Sequence, residues 1–353
     1  MTSIDLAGHV AIVQPRVGIG DMIWHLPHLR ALARAAGGRV TLVARPRSHA
    51  DQLVGPADGI GEVFWVERDQ WMPQGRHQGI GGMARLIGEL RARRFDTAIL
   101  LTRSRNLALA VAAAGVPARY GYGVGAPQRV LLNRRPYLPP AALAQHPYDQ
   151  AGAWLHAAGI ALDDPEPRLV VDPATRAAAA QRLAIGGAAA QRLAIGDARY
   201  AALGIAASDA WKKWSPAHFA ELATHLLAGW PTLILLGGPA EHADADAILA
   251  QLAPEARARV VPVLGWDLRL VAALLVQAGF YVGNDTAVLN IAAAVGTSSY
   301  GLFGGTPVLR HSPHIHPIVP PGGPDEATGM AAISVAAVIA ALAHAPLASA
   351  ARA

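Results

Sequence analysis

Short apolar runs alternate with stretches of helical spacing along this chain, and that alternation limits the folds open to it. The first series is "HVAIVQP" (9–15), "RVTLVAR" (39–45), "EVFWVE" (62–67), "FDTAILL" (95–101) and "ARYGY" (118–122). Helical spacing fills 21–37, which ends in glycine, and recurs near 78–93 and 104–114. A second series follows: "YAALGIAAS" (200–208), "TLILLGG" (232–238), "ARVVPV" (258–263), "GFYVGN" (279–284) and "SSYGLFG" (298–304). Helices near 215–228, 240–252, 267–277 and 285–295 separate those runs. Strand–helix alternation implies parallel βαβ units with helices on both sheet faces. The expected fold class is therefore α/β, as two Rossmann-like, doubly wound domains.

The boundary falls around 161–175, where "LDDPEPRLVVDPA" is rich in Pro and Asp. This divides the chain into domains at 1–170 and 171–353. With 353 residues, 52% hydrophobic and 16% charged, the chain can bury two cores. Just past the boundary "AAAQRLAIG" occurs at 178–186 and again at 188–196. Two copies are too few for a solenoid, and they read as a lengthened surface helix pair.

Cysteine is absent, which excludes a disulfide scaffold, a thiol nucleophile and cysteine-ligated zinc. The N-terminal "MTSIDLAGHVAIVQPR" has no basic segment leading into an apolar core, so it does not read as a signal peptide. Apolar runs such as 271–283 are too short to span a bilayer. A cytoplasmic protein is expected. Net charge is +5 and the sequence pI about 9.9, which suits an anionic partner. The basic residues are scattered, with little aromatic interleaving, and this speaks against nucleic acid.

Two segments stand where α/β domains bind ligands, at the carboxyl ends of strands. The first, "RVGIGDMIWHLP", lies between the first strand and the first helix. Gly18 and Gly20 begin a dinucleotide fingerprint, but Ile23 holds the place of its third glycine. Ala44 and Arg45 end the second strand, where an acidic residue would bind a ribose. A nicotinamide-dependent oxidoreductase is thereby disfavoured. Asp21 reads either as a cap on the helix start or as a general base. His25 and His28 follow on the same helix and read as packing or surface residues.

The second segment is "GNDTAVLNIAAAVGTSSYGLFGGTP" (283–307). Asp285 and Thr286 open a helix, and the next strand ends at Gly304-Gly305-Thr306. Free backbone N–H groups and small residues suit such an edge to a diphosphate, with plain helix capping as the alternative. A third stretch stands out by composition. Lys212 and Lys213, in "DAWKKWSPAHF", are the only lysines in a chain with 28 arginines.

Together these stretches resemble glycosyltransferase family 9, the ADP-heptose:lipopolysaccharide heptosyltransferases, over nearly the whole chain. The carrying residues are Arg16-Val17-Gly18-Ile19-Gly20-Asp21 with Pro27 and Leu32; Lys212-Lys213-Trp214-Ser215-Pro216 before His218-Phe219-Ala220-Glu221-Leu222; and Asp285 through Gly296 followed by Phe303-Gly304-Gly305-Thr306. Ser215 is an extra residue, Ala287 replaces a family glycine and Asn290 a family histidine. "RHSPHIHPIVPP" (310–321), with His311, His314 and His316, replaces the family's usual loop.

The resemblance implies a GT-B fold, two Rossmann-like domains facing a central cleft. It implies inverting sugar transfer with no obligatory metal and no cofactor. The C-terminal domain would hold a nucleotide-sugar donor, through Ser208, Lys212, Asp285, Thr286, Ala287, Asn290, Gly304 and Thr306. The N-terminal domain would receive an anionic glycolipid or glycan through Arg16, Gly20 and Arg103. Asp21 would act as base and Lys212 would face the diphosphate, with Lys213 a solvated neighbour and Asp209 shaping the turn. Arg105 reads equally well as a solubilising surface residue. Peripheral contact with the inner face of the membrane would follow from a lipid-linked acceptor. A different donor, a soluble acceptor or a non-catalytic binding protein are the competing readings.

Overall fold

The computed structural model describes residue 4, residues 6–194 and residues 200–343. The chain divides into two compact units, Met1–Pro167 and Arg168–Ala353.

The first unit is built on five parallel strands: β1 (Val10–Val13), β2 (Val40–Ala44), β3 (Ile60–Trp65), β4 (Thr97–Leu100) and β5 (Ala118–Gly121). Their order is β3-β2-β1-β4-β5. The three inner strands are buried along their whole length, as unbroken apolar runs covered on both faces require. The outer strand β3 exposes Gly61 and Glu62. Helix Ile19–Ala35 packs with Pro147–Ala157, and helix Gly79–Ala92 with Arg105–Ala113. Phe64, Leu86, Leu90, Phe95, Leu100 and Leu107 share one core cluster. Each such side chain contributes roughly 1.5–3 kcal/mol by leaving water.

The second unit has six parallel strands: β6 (Tyr200–Gly204), β7 (Thr232–Gly237), β8 (Val260–Leu264), β9 (Tyr281–Asn284), β10 (Ser299–Leu302) and β11 (Ile315–Ile318), ordered β11-β10-β9-β6-β7-β8. β11 lies in the stretch that reads as a loop. Pro317 stands inside it and hides the strand pattern, since proline donates no ladder hydrogen bond. An edge strand tolerates that loss, and β11 is an edge strand. Tyr281 explains why β6 and β9 carry glycine near their ends. A Cβ at Gly204 or Gly283 would stand 1.9 or 2.2 Å from the Tyr281 hydroxyl oxygen. The duplicated segment forms helices Pro173–Ala184 and Ala188–Ala194, each burying its leucine, Leu183 and Leu193. The last two residues of the second copy fall outside the described residues.

Helices Gly125–Leu131, Pro147–Ala157 and Val335–Ala343 lie in segments for which the alternation predicts no helix. The first two sit in a Pro- and Gly-rich region that masks their spacing. No helix among the described residues is long and apolar enough to cross a membrane.

In both sheets strand order reverses beside the unit's first strand: between β1 and β4, and between β6 and β9. Loops leaving those strand ends diverge to opposite faces, and a crevice opens there. The motif residues of each unit are carried by the loops at and beside its own reversal.

Candidate active site

In the first unit, residues 14–18 connect β1 to helix Ile19–Ala35. Gly18 is the N-cap, with extended backbone and no side-chain capping bond. Asp21 lies in the first turn and Gly20 is the second helical residue. The Asp21 carboxylate is not spent on a capping bond from the N-cap position; it forms an ion pair with Arg16. The aspartate side chain is 16% exposed and the arginine 43%. A Cβ on Gly18 would stand 2.7 Å from Asp21 Oδ2, so glycine leaves the carboxylate its room.

Beneath this pair lie two fully buried polar residues, Gln14 and His25. His25 Nδ1–H donates to the Asp21 carbonyl at 2.6 Å, and Gln14 Nε2 reaches the same oxygen at 3.4 Å. Burial drops the imidazole from 6.5 to about 4, against the pull of Asp21. His25 is therefore neutral at pH 7 and fixes the first helical turn rather than carrying charge. Arg103, beyond the end of β4, donates to the Leu143 carbonyl. Arg105 is exposed at the start of its helix, which Ser104 caps through a bond from the Leu107 N–H.

Tyr122, just past β5, was not singled out by the sequence. Burial pushes its hydroxyl up, while the Arg16 and Arg103 charges pull it back. Arg16, Arg103 and Tyr122 thus share one neighbourhood. The available signal was a tyrosine just past a strand end.

In the second unit three chain segments converge. The turn 208–213 follows β6, Asp285 follows β9, and Gly304–Thr306 follows β10. Ser208 Oγ donates to Asp209 Oδ2 at 2.7 Å, and Lys212 Nζ stands 3.9 Å from the same carboxylate oxygen. The ammonium also lies 4.9 Å from the centre of the Trp211 ring. That ring covers Gly305, where a Cβ would stand 2.6 Å from it. Thr306 donates its hydroxyl to Asp285 Oδ2 at 2.7 Å. Burial raises the Asp285 carboxyl, and the Thr306 hydrogen bond and the Lys212 charge oppose the rise. Like Asp21, Asp285 bonds a side chain outside its helix.

Asn284 joins these segments. It is fully buried at the end of β9. Its Oδ1 accepts the Trp214 N–H at 3.1 Å, and its Nδ2 donates to the Ile205 and Ala206 carbonyls, each at 3.1 Å. The lysine turn is thereby tied to two strand ends. Sequence reasoning passed over both Asn284 and Trp211. A polar residue closing an apolar strand was the signal for the first; an aromatic beside a lone lysine pair was the signal for the second.

Other expected residues take different places. Lys213 is not a solvated neighbour. Its ammonium donates to Asp244 Oδ2 at 2.7 Å and stands 3.5 Å from Glu241 Oε1, because Glu241 and helix His242–Ala250 pack beside the turn. The added Ser215 caps helix Pro216–Leu226 by accepting the His218 N–H at 3.2 Å, with Pro216 at the first helical position. Thr286 is the N-cap of helix Ala287–Ala294 without a side-chain capping bond, and Ala287 is its first residue. Asn290 is 5% exposed and donates to the Thr286 carbonyl at 3.0 Å, so its amide is turned back along its own helix. Gly304 admits Met330, whose sulfur would lie 2.4 Å from an added Cβ. His316 lies on β11 against Tyr300, with ring centres 4.9 Å apart. The His314 carbonyl accepts the Ser299 N–H.

The two sites offer complementary chemistry. One presents a carboxylate held by an arginine on a helix start. The other presents an ammonium, a hydroxyl and small residues at strand and helix ends, as a phosphorylated ligand requires.

The sequence profile of glycosyltransferase family 9 (heptosyltransferase) matches residues 83–319. Lipopolysaccharide heptosyltransferase 2 of Escherichia coli (strain K12) is 28% identical over 248 residues, covering 67% of this chain and 69% of that protein. The solved E. coli ADP-heptose lps heptosyltransferase II superposes with a TM-score of 0.73 at 20% identity, over 95% of this chain and 98% of that one. A glycosyl transferase family 9 protein from Veillonella parvula DSM 2008 gives 0.76 at 18% identity, over 97% and 98%. E. coli heptosyltransferase WaaC with ADP-2-deoxy-2-fluoro heptose gives 0.69 at 19%, over 95% and 99%. The fold shared with these structures is GT-B.

Proposed function

This chain belongs to glycosyltransferase family 9, the heptosyltransferases, and from that premise we propose that it moves heptose from ADP-heptose to a hydroxyl of a lipopolysaccharide-core or other envelope acceptor, with inversion and without a metal. The observation that carries this reading is the convergence of Lys212, Asp285 and Thr306 at the strand-order reversal of the second sheet. The nucleotide is taken from relatives whose structures hold ADP or ADP-2-deoxy-2-fluoro heptose.

In the proposed reaction the acceptor oxygen attacks the anomeric carbon on the face opposite the leaving group. Asp21 takes the hydroxyl proton, and Arg16 orients its carboxylate. The bond from the anomeric carbon to the diphosphate oxygen breaks as the new glycosidic bond forms. ADP leaves with the electron pair. Lys212 meets the charge that develops there; a compact ammonium suits a phosphate oxygen in motion. The residues 168–353 serve the donor, and the residues 1–167 serve the acceptor through Arg16, Gly20 and Arg103. The acceptor is lipid-linked, and the enzyme works at the inner face of the cytoplasmic membrane.

A second reading keeps the transfer and changes the donor. It is favoured by Ala287 and by Asn290, whose amide is committed to Thr286. Thermal-shift measurements with ADP-, UDP- and GDP-sugars separate the two. A ligand at a hundredfold its Kd stabilises by about 2.7 kcal/mol. A melting shift with ADP-heptose alone is expected. A shift with a UDP- or GDP-sugar instead selects the second reading, and no shift with any sugar nucleotide sinks both.

A further inference from the structure

Between Asp96 and Asp149 the chain has no acidic residue at all, and in those 52 positions stand six arginines: Arg103, Arg105, Arg119, Arg129, Arg134 and Arg135. The remainder of the first unit holds 12 arginines against 13 carboxylates, and the second unit 12 basic against 12 acidic residues. The net charge of +5 thus traces to one segment. That segment builds β4, helix Arg105–Ala113, β5, helix Gly125–Leu131 and the strap leading to helix Pro147–Ala157. Because β5 is the last strand of its sheet, Arg119, Arg129, Arg134 and Arg135, on β5 and the segments after it, belong to one edge of the unit, while Arg103 and Arg105 follow β4.

The edge is firmly built. Arg119 donates to the Leu131 carbonyl at 2.7 Å and to the Val116 carbonyl at 2.6 Å, tying the end of helix Gly125–Leu131 to β5. The guanidinium carbons of Arg129 and Arg135 lie 5.3 and 5.2 Å from the centre of the same Tyr137 ring. Arg134 is exposed. Among the described residues, none of the six arginines has a carboxylate within ion-pair distance. Within this cationic surface Val130 is 80% exposed, an aliphatic side chain in water next to Arg129.

We propose that this edge docks the enzyme on an anionic bilayer, with Arg129, Arg134 and Arg135 against lipid phosphates and Val130 in the head-group layer. Uncompensated guanidiniums together with an exposed aliphatic side chain match such a surface. A nucleic acid would call for open aromatic faces on which bases stack. Here Tyr120 and Tyr122 are buried, and the Tyr137 ring is covered by two guanidiniums. The inference rests on the lipid-linked acceptor proposed above, but its test reads binding and not sugar transfer, so each can fail alone.

The test is co-sedimentation of the full chain with vesicles of phosphatidylglycerol and phosphatidylcholine, and with phosphatidylcholine alone. Binding to the first at low salt, lost as salt rises, is expected. An Arg134→Glu/Arg135→Glu variant should bind about 25-fold more weakly or worse, since each basic residue near such a surface is worth roughly fivefold. Arg134→Gln/Arg135→Gln guards against misfolding of the charge-reversed chain, with melting temperature as the check. Val130→Asp should weaken vesicle binding further. Equal sedimentation with both vesicle types, no sedimentation with either, or undiminished binding by both arginine variants overturns the proposal. So does binding to heparin as tight as to vesicles with Val130→Asp without effect, which would mark a surface for soluble polyanions.

Discussion

Asp21 and Asp285 each sit beside the point where a parallel sheet reverses its strand order, yet their surroundings differ. Asp21 faces Arg16, a half-exposed guanidinium on the loop before its own helix. Asp285 accepts the Thr306 hydroxyl hydrogen bond and feels Lys212 from a third segment. The first carboxylate is held from its own loop; the second is enclosed by distant parts of the chain. The units that carry them differ in the same sense, one holding the whole positive surplus and the other electrically balanced. One strand order therefore supports two kinds of site. The sheet supplies the crevice, and the loops supply the charge.

The sharpest way to break this comparison is to neutralise Asp21. Asp21→Asn should lower kcat by about 10²–10⁴-fold, the range for a general base, with donor affinity unchanged. Near-normal turnover would show that the Asp21 carboxylate has no part in proton transfer. On the enclosed side, Lys212→Ala should lower kcat/KM by about 10²–10³-fold, as loss of one charge-stabilising donor does. An unchanged value would detach Lys212 from the leaving group.

Acidification tests the support under Asp21. His25 is held near 4 when folded, below its ordinary value of 6.5, so folding binds fewer protons than unfolding there. Its contribution to stability is whole above about pH 6.5 and is lost as pH falls toward 4, at up to about 1.4 kcal/mol per pH unit. Denaturant titrations across that range measure the slope, and His25→Gln should flatten it.

Smaller effects separate the two lysines. Trp211→Ala should cost Lys212 its ring contact, about 0.5–1 kcal/mol or a few-fold in kcat/KM, with Trp211→Phe recovering part. Lys213→Ala should leave kcat/KM alone and lower stability by about 0.2–1 kcal/mol. A double-mutant cycle with Asp244→Ala measures that coupling, and a zero coupling would return Lys213 to the solvent.

Much of the fold was legible because β1, β2, β4 and most of the second sheet are short, mainly apolar runs followed by turn residues or helical spacing. β11 was not legible, since Pro317 breaks its pattern and only its edge position makes the break harmless. Asp21, Lys212 and Asp285 stood out by residue type at strand ends. Asn284, Trp211 and Tyr122 did not, because a lone Asn, Trp or Tyr has no spacing to betray it.

The sequence by itself determined two parallel sheets and the edge of each that would hold polar residues, because strands buried on both faces must be apolar and end in turns. Only the tertiary structure decided which lysine does what. Lys212 and Lys213 are chemically identical neighbours. One is turned toward Trp211 and Asp285, the other toward Asp244 and Glu241. Those partners come from other strand ends and another helix, and a charge acquires its role from whatever the fold brings within a few ångströms of it.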